Sequence, residues 1–277
     1  MKSNHIQLAL WFLVATATVG CNLEKEVEIE IPQYDREIVA ECFMEVGKPF
    51  RLLVSESVGF FEGTDTPTVT GAQVIISHAG IHDTLTEGLF VDPEGFKIFN
   101  FASANIVPAD YNTEYSLTLK VPDGREITGT AHVMPKAELL PMTASYNADS
   151  MASVTVRWPD IAGEKNYYRI AMFKGKVYEP NPDNEGTLWL DFTLDDRIGD
   201  GEMFTIATLF DFNPGDTIIS RLYHISYDYW SYLNSLDDAT SSNGNPFAQP
   251  GTIHSTVTGG IGAFTGYHYD QDTLIIP

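Results

Sequence analysis

From residue 38 onward, apolar and polar side chains alternate in run after run. A period of two is the spacing of a β-strand with one face on a core and the other in water. The runs fall at 38–46, 50–58, 72–78, 96–99, 115–121 and 126–133, with a shorter one at 27–31. Between them stand turn formers: Val46-Gly47-Lys48-Pro49, Asp92-Pro93-Glu94-Gly95 and Pro122-Asp123-Gly124. In the last, Pro presets φ and Gly takes the left-handed turn position of a hairpin. Short strands at this spacing predict an antiparallel sandwich over 36–134. Residues 135–141, bounded by Pro135 and Pro141 and without alternation, read as a linker. The pattern resumes at 153–160, 166–173, 188–192, 204–210, 217–224, 253–257 and 273–276, which predicts a second β-domain over 142–277.

Two residues sharpen the fold expectation. Tyr115 heads a strand just after the loop Pro108-Ala109-Asp110-Tyr111 and resembles the tyrosine corner of immunoglobulin-like domains, which implies a hydroxyl bonded back to that loop. Trp158 ends an alternating strand, followed by Pro159-Asp160 and a Tyr-rich run at Tyr167 and Tyr168. That order resembles the first half of a fibronectin type III sandwich, with Trp158 as its core plug. The expected fold is all-β: two immunoglobulin/fibronectin-III-like antiparallel sandwiches in series, with one short helix at 226–239. There Ser226 can cap, Asp228 suits the positive end of the helix dipole, and Tyr229, Leu233 and Leu236 fall on one face. Tyr227 and Trp230 lie on a neighbouring face.

The N-terminus is read separately. Residues 6–20 are apolar and uncharged and follow Lys2, the pattern of a secretory signal peptide over 1–20, short for a membrane span. Its end, Thr18-Val19-Gly20-Cys21, resembles the lipobox of bacterial lipoproteins, which implies a diacylated Cys21 at the start of the mature chain. Ordinary signal cleavage is the alternative. Residues 21–35 then form an acidic tether and first strand. Glu24, Glu26 and Glu28 behind the cysteine resemble the surface-export signal of Bacteroidetes lipoproteins, and this implies a lipid-anchored position on the outer membrane, facing out. The whole chain carries 38 acidic against 16 basic side chains, a net charge of −22. That balance argues against nucleic acid as a partner and against charge-driven docking on anionic lipid. With Cys21 acylated, Cys42 is left unpaired in an apolar run and reads as a small buried hydrophobe.

The last fifty residues are the most distinctive. A Tyr-rich helix, then Asn243-Gly244-Asn245-Pro246-Phe247, then Gly259-Gly260-Ile261-Gly262-Ala263-Phe264-Thr265-Gly266-Tyr267, resembles the Bacteroidetes outer-membrane lipoproteins grouped as domain of unknown function 4249. The resemblance extends over the whole mature chain. It carries over no enzymatic activity. It implies a companion of a TonB-dependent transporter barrel, an association rather than chemistry read from residues. Exposed aromatics near the C-terminal loops, Trp230, Phe247, Phe264 and Tyr267, are the candidate binding surface.

Catalytic motifs are missing from the sequence: it holds no G-x-x-x-x-G-K-[ST], H-E-x-x-H or G-x-S-x-G. The G-x-G-x-x-x-G spacing from Gly260 does not fit a phosphate loop and suits turns, bulges or close backbone approach. His78 and His82 are four apart, but Gly80 between them speaks against a helical metal pair. Asp195, Asp196 and Asp200, and the loop from Asp211 to Asp216, could offer oxygens to calcium, while a β-turn explains the second loop without a metal. No other cofactor is expected. The resulting expectation is a non-catalytic surface module that binds cargo or partner beside a transporter. A surface hydrolase acting on glycan or peptide and an adhesion module are the alternatives.

Overall fold

The computed structural model describes residues 35–59, 67–92, 97–175, 188–242 and 251–277. Cys21, the acidic tether, the expected strand at 27–31 and Phe247 lie outside them. The described chain runs β1 (Ile38–Glu45), β2 (Pro49–Glu56), β3 (Gln73–His78), β4 (Ile81–Asp92), β5 (Lys97–Ile106), β6 (Glu114–Lys120) and β7 (Glu126–His132). It continues with β8 (Leu140–Tyr146), β9 (Ala152–Pro159), β10 (Tyr167–Lys174) and β11 (Leu188–Asp195), a 3-10 turn at Asp196–Ile198, and β12 (Met203–Ala207). Then come β13 (Thr217–Ile225), the helix α1 (Tyr227–Ser242), β14 (Val257–Thr258) and β15 (Ile261–Ile275). The protein is mostly β, with one large sheet, one small sheet and one long helix.

The large sheet has the order β11-β10-β13-β15-β1-β2-β5-β4-β3-β6-β7-β14, and the small one β12-β9-β8. Two cores form where sheet faces meet. The first takes the inward set of β1 (Ile38, Ala40, Cys42, Met44) and β2 (Phe50, Leu52, Val54) against Val74, Ile76, Tyr115, Leu117, Leu119 and Ile127. The second takes Val154, Val156 and Trp158 of β9 against Tyr168, Ile170 and Met172 of β10 and Ile218 and Leu222 of β13. Trp158 is fully buried, stacked on Phe204 at 5.2 Å and edge-on to Tyr168 at 5.7 Å, the plug that the sequence predicts. Cys42 is buried in the first core, and burial pushes its thiol up to about 12, so it packs as a hydrophobe.

The strand β15 ties the two cores together. Its first half, Ile261 to Tyr267, pairs in parallel with β1, and its second half, from His268 on, pairs antiparallel with β13. At about 3.3 Å per residue such a strand is about 50 Å long. It puts Phe264 into the first core, and Ile276, just past its end, enters the second. The glycine stretch, expected as turns, bulges or close backbone approach, is largely strand, and close approach is the alternative that holds. The glycines are there for approach: a Cβ on Gly262, whose φ is +134°, would stand 2.1 Å from the carbonyl oxygen of Ala40. Arg36–Pro277 accordingly gathers into one compact unit. The stretch 135–141, read as a linker, buries Ala137 and Leu139 in the second core, and the Leu139 amide donates to Asp270 of β15 at 2.9 Å.

Other expectations shift. Tyr115 is buried against Phe50 and His78, and its hydroxyl has no hydrogen-bond partner among the described residues, so the tyrosine-corner bond is not made. Packing of the ring, not the hydroxyl, holds it. Strand β4 escaped the reading because its inward positions alternate Asp83 with Leu85. The carboxylate is accommodated by His78 at 3.0 Å and by the Asn105 amide. The helix starts as expected, Ser226 accepting from the Tyr229 amide through its hydroxyl at 3.2 Å, but runs to Ser242. Tyr229, Tyr232, Leu233 and Leu236 lay it on the outer face of the large sheet, against Ala171, Phe173, Tyr223, Ile225 and Ala263. This helix is a third layer that covers part of that face and, among the described residues, leaves the rest open.

Candidate functional site

The uncovered part of the outer face carries the most concentrated chemistry in the chain, and strand alternation puts it there. On β13 the residues Ile218, Ser220, Leu222 and His224 alternate with Ile219, Arg221, Tyr223 and Ile225, and the second set points away from the core beneath. Register then aligns neighbours. Arg169 of β10 lies opposite Tyr223, Tyr223 opposite Tyr269, and Arg221 opposite Gln271. One strand further on, Glu45 of β1 lies opposite Tyr267. Arg51 from β2, Asp92 from β4 and Lys97 and Phe99 from β5 complete a cleft with Phe43, Glu45, Arg169, Arg221, Tyr223 and Tyr267. The cleft holds about 560 Å³ of space that opens to solvent.

Every cation of the cleft rests on an aromatic ring. The Arg51 guanidinium lies 4.9 Å from the Phe99 centroid, the Lys97 ammonium 5.0 Å from Phe43, Arg169 5.3 Å from Tyr223, and Arg221 4.5 Å from Tyr269. Such stacking holds a cation in place while leaving its edge free to donate. Two of the four are also neutralised. Arg51 pairs with Asp92 at 3.0 Å, and Arg169 pairs with Asp191 through both guanidinium arms. Arg221 donates instead to the neutral Gln271 Oε1 at 2.8 Å, and no ion pair joins Lys97 or Arg221 to a carboxylate among the described residues.

Titration behaviour follows this crowding. Burial, with the Arg169 charge adding to it, pushes the Lys97 ammonium below the usual lysine range, although the residue as a whole is exposed. Burial raises the Glu45 carboxyl above its ordinary value against the pull of Lys48, Arg221 and Arg51. Burial opposes the charge of Arg169, but its bidentate Asp191 more than offsets that and holds the guanidinium firmly protonated. Burial also drives the Tyr267 phenol well above its normal range, so it stays a neutral hydrogen-bond donor.

The four aromatics expected to form a surface separate. Tyr267 lines this cleft. Trp230 is half-buried in a different pocket with Lys165, Tyr167, Asp195, Asp196, Arg197 and Tyr227, its ring 5.3 Å from Tyr167. Phe264 is not surface at all: it sits on the inward side of β15 and is 1% exposed, because strand alternation turns it into the first core. Phe247 lies outside the described residues. The residues that the sequence reading missed are the cations, Arg51, Lys97, Arg169 and Arg221. Arg51, Arg169 and Arg221 stand at outward positions of alternating strands, whereas Lys97 opens β5 beside the exposed Ile98, where the alternation breaks. In a chain with only 16 basic side chains, the outward placement of the three arginines was the available signal.

The acidic groups resolve differently. Asp160, Asp196 and Asp200 bring carboxylate oxygens within 4.8 Å of one another. Each also accepts a hydrogen bond that fixes a loop: Asp160 from the Tyr168 hydroxyl and the Gly201 amide, Asp196 from the Asn166 amide, and Asp200 from the Gly163 amide. Asp195, grouped with them in the sequence, pairs with Arg197 instead. Asp216 caps its turn by accepting from the Asn213 amide at 2.8 Å and pairs with Lys174, the β-turn geometry. His78 and His82 diverge across the β3–β4 hairpin, to Asp83 and Ser77 respectively.

Sheet, helix and cleft thus define a mostly-β protein with a cation-and-aromatic recess on its open sheet face. Residues 24–273 match the family described as Domain of unknown function (DUF4249), and the chain belongs to it. No curated protein matches. Among solved structures, one titled "Cytokine receptor complex - Crystal form 2" is similar at 12% identity over 67% of this chain and 89% of that one, with a TM-score of 0.27. A DUF4785 family protein from Legionella pneumophila is similar at 11% identity over 67% of this chain and 52% of that one, with a TM-score of 0.23. Likeness at that level carries no argument about function. Among the described residues no helix is long and apolar enough to cross a membrane.

Proposed function

We propose that this protein is a lipid-anchored, surface-exposed binding module of the outer membrane that works without catalysis beside a TonB-dependent transporter. The observation that carries the binding part of this reading is the cleft. Its rings and guanidiniums are held in place by stacking and ion pairs before any ligand arrives, which lowers the ordering cost of recognition. The anchor and location rest on the Thr18-Val19-Gly20-Cys21 segment and the glutamates behind it, by their resemblance to Bacteroidetes lipoproteins. The transporter partnership rests on the family resemblance alone.

Two measurements test it. Affinity purification of the tagged protein from mild-detergent membranes, followed by mass spectrometry, should recover a TonB-dependent barrel in stoichiometric amount. A protein recovered alone in repeated preparations would remove the accessory role. Cys21→Ala should move the protein out of the membrane fraction while its melting temperature stays within about 1 °C, since single substitutions outside a core change stability little. Retention of that variant in membranes would sink the anchor.

A further inference from the structure

We propose that the cleft binds one carboxylate group, the charged end of a small organic acid or of a peptide, through Lys97 and Arg221. The proposal deepens the binding-module reading and rests on its binding half; it does not depend on a transporter partner.

Charge is the first argument. A chain with 38 acids and 16 bases has carboxylates to spare for every cation. Yet Lys97 and Arg221 line one cleft, and neither is ion-paired to a carboxylate among the described residues. Both are held by rings instead, Lys97 by Phe43 and Arg221 by Tyr269, with Phe173 on a further side at 5.9 Å. Stacking on a ring leaves the edge of a cation able to donate to an anion, although Arg221 already gives its Nε–H to Gln271.

The number of charges selects the class of anion. Arg51 is neutralised by Asp92 and Arg169 by Asp191. That leaves two positive groups. Glu45 faces Arg221, Arg51 and Lys48, and Glu41, Asp92 and Glu45 all act on Lys97. With these carboxylates at its walls, the recess suits at most a single negative charge. A phosphate carries more charge than that and would meet Glu45 and Asp92 at close range. The Tyr267 hydroxyl, kept neutral by burial, supplies a further donor.

The experiment is a titration of the detergent-solubilised full chain, followed by tyrosine fluorescence and by calorimetry. The probes are N-acetylphenylalanine, its uncharged carboxamide, benzoate and inorganic phosphate. N-Acetylphenylalanine should bind saturably and at least about tenfold more tightly than its carboxamide, as expected for a charge-assisted hydrogen bond. Lys97→Gln and Arg221→Gln should each weaken it by about tenfold. Lys97 is an exposed residue, so its variant carries the test if Arg221→Gln does not fold. Benzoate matching N-acetylphenylalanine would assign a small organic acid, and a clear preference for the acyl amino acid would assign a peptide end. Equal binding of acid and carboxamide, phosphate binding as tight as carboxylate, unchanged affinity in both variants, or no saturable binding would each overturn the proposal. The Lys97→Gln protein should still co-purify with a barrel, so failure here and failure of the transporter role are read independently.

Discussion

Truncation after Asp238 is expected to abolish the cooperative unfolding transition of the whole chain, not only of its C-terminal part. The deletion removes β14 and β15, and β15 is an interior strand of the large sheet, between β13 and β1. Both cores are opened. The first loses Phe264 and Val257, and the second loses Ile276. Loss of a buried Phe alone costs about 3–5 kcal/mol, against a total stability of about 5–15 kcal/mol for a typical domain. Two strand edges would also be left with unpaired backbone groups, a route to aggregation. Thermal melting followed by far-ultraviolet circular dichroism checks this. A truncated chain that keeps one sharp transition at the position of the parent would mean that the N-terminal sandwich stands alone, as a domain in series would.

Gly262→Val is expected to destabilise the protein by about 3–5 kcal/mol, through strain and overlap together. At φ of +134° a β-branched residue is strained whatever the space around it. Here the added Cβ would also fall 2.1 Å from the Ala40 carbonyl oxygen and 3.0 Å from its nitrogen, backbone atoms that cannot swing aside. Gly47→Val separates the two causes. Gly47 has φ of +83° but nothing within 4 Å of its would-be Cβ, so this variant feels only the conformational part. Urea unfolding should give a shift for Gly262→Val well beyond that for Gly47→Val at similar m-values. Equal shifts would show that the close approach of β15 to β1 contributes little.

The candidate site was only partly legible beforehand. Tyr267 was singled out for its aromatic character and does line the cleft, whereas Phe264, three positions earlier, was singled out on the same ground and is core. Two residues an odd number apart on a strand face opposite ways, so they could not both have been surface once this stretch was strand. Glycines that suit turns, bulges or close approach alike do not reveal that the stretch is strand. The calcium reading had the same weakness. Asp196 and Asp200 are joined by Asp160, which is remote in sequence, while adjacent Asp195 turns to Arg197.

Local pattern determined most of the strands, the helix start at Ser226, the buried Trp158 and the inert Cys42. Each depends on the periodicity or burial of a short segment, which neighbours in sequence express. Only the tertiary structure decided which strands lie side by side. The parallel pairing of β1 with β15 joins residues more than 200 positions apart, and no local signal records a partner so distant. The cleft depends on that pairing. Arg51 and Lys97 come from one half of the chain and Arg169 and Arg221 from the other, and they share a recess because one strand carries its register through both cores.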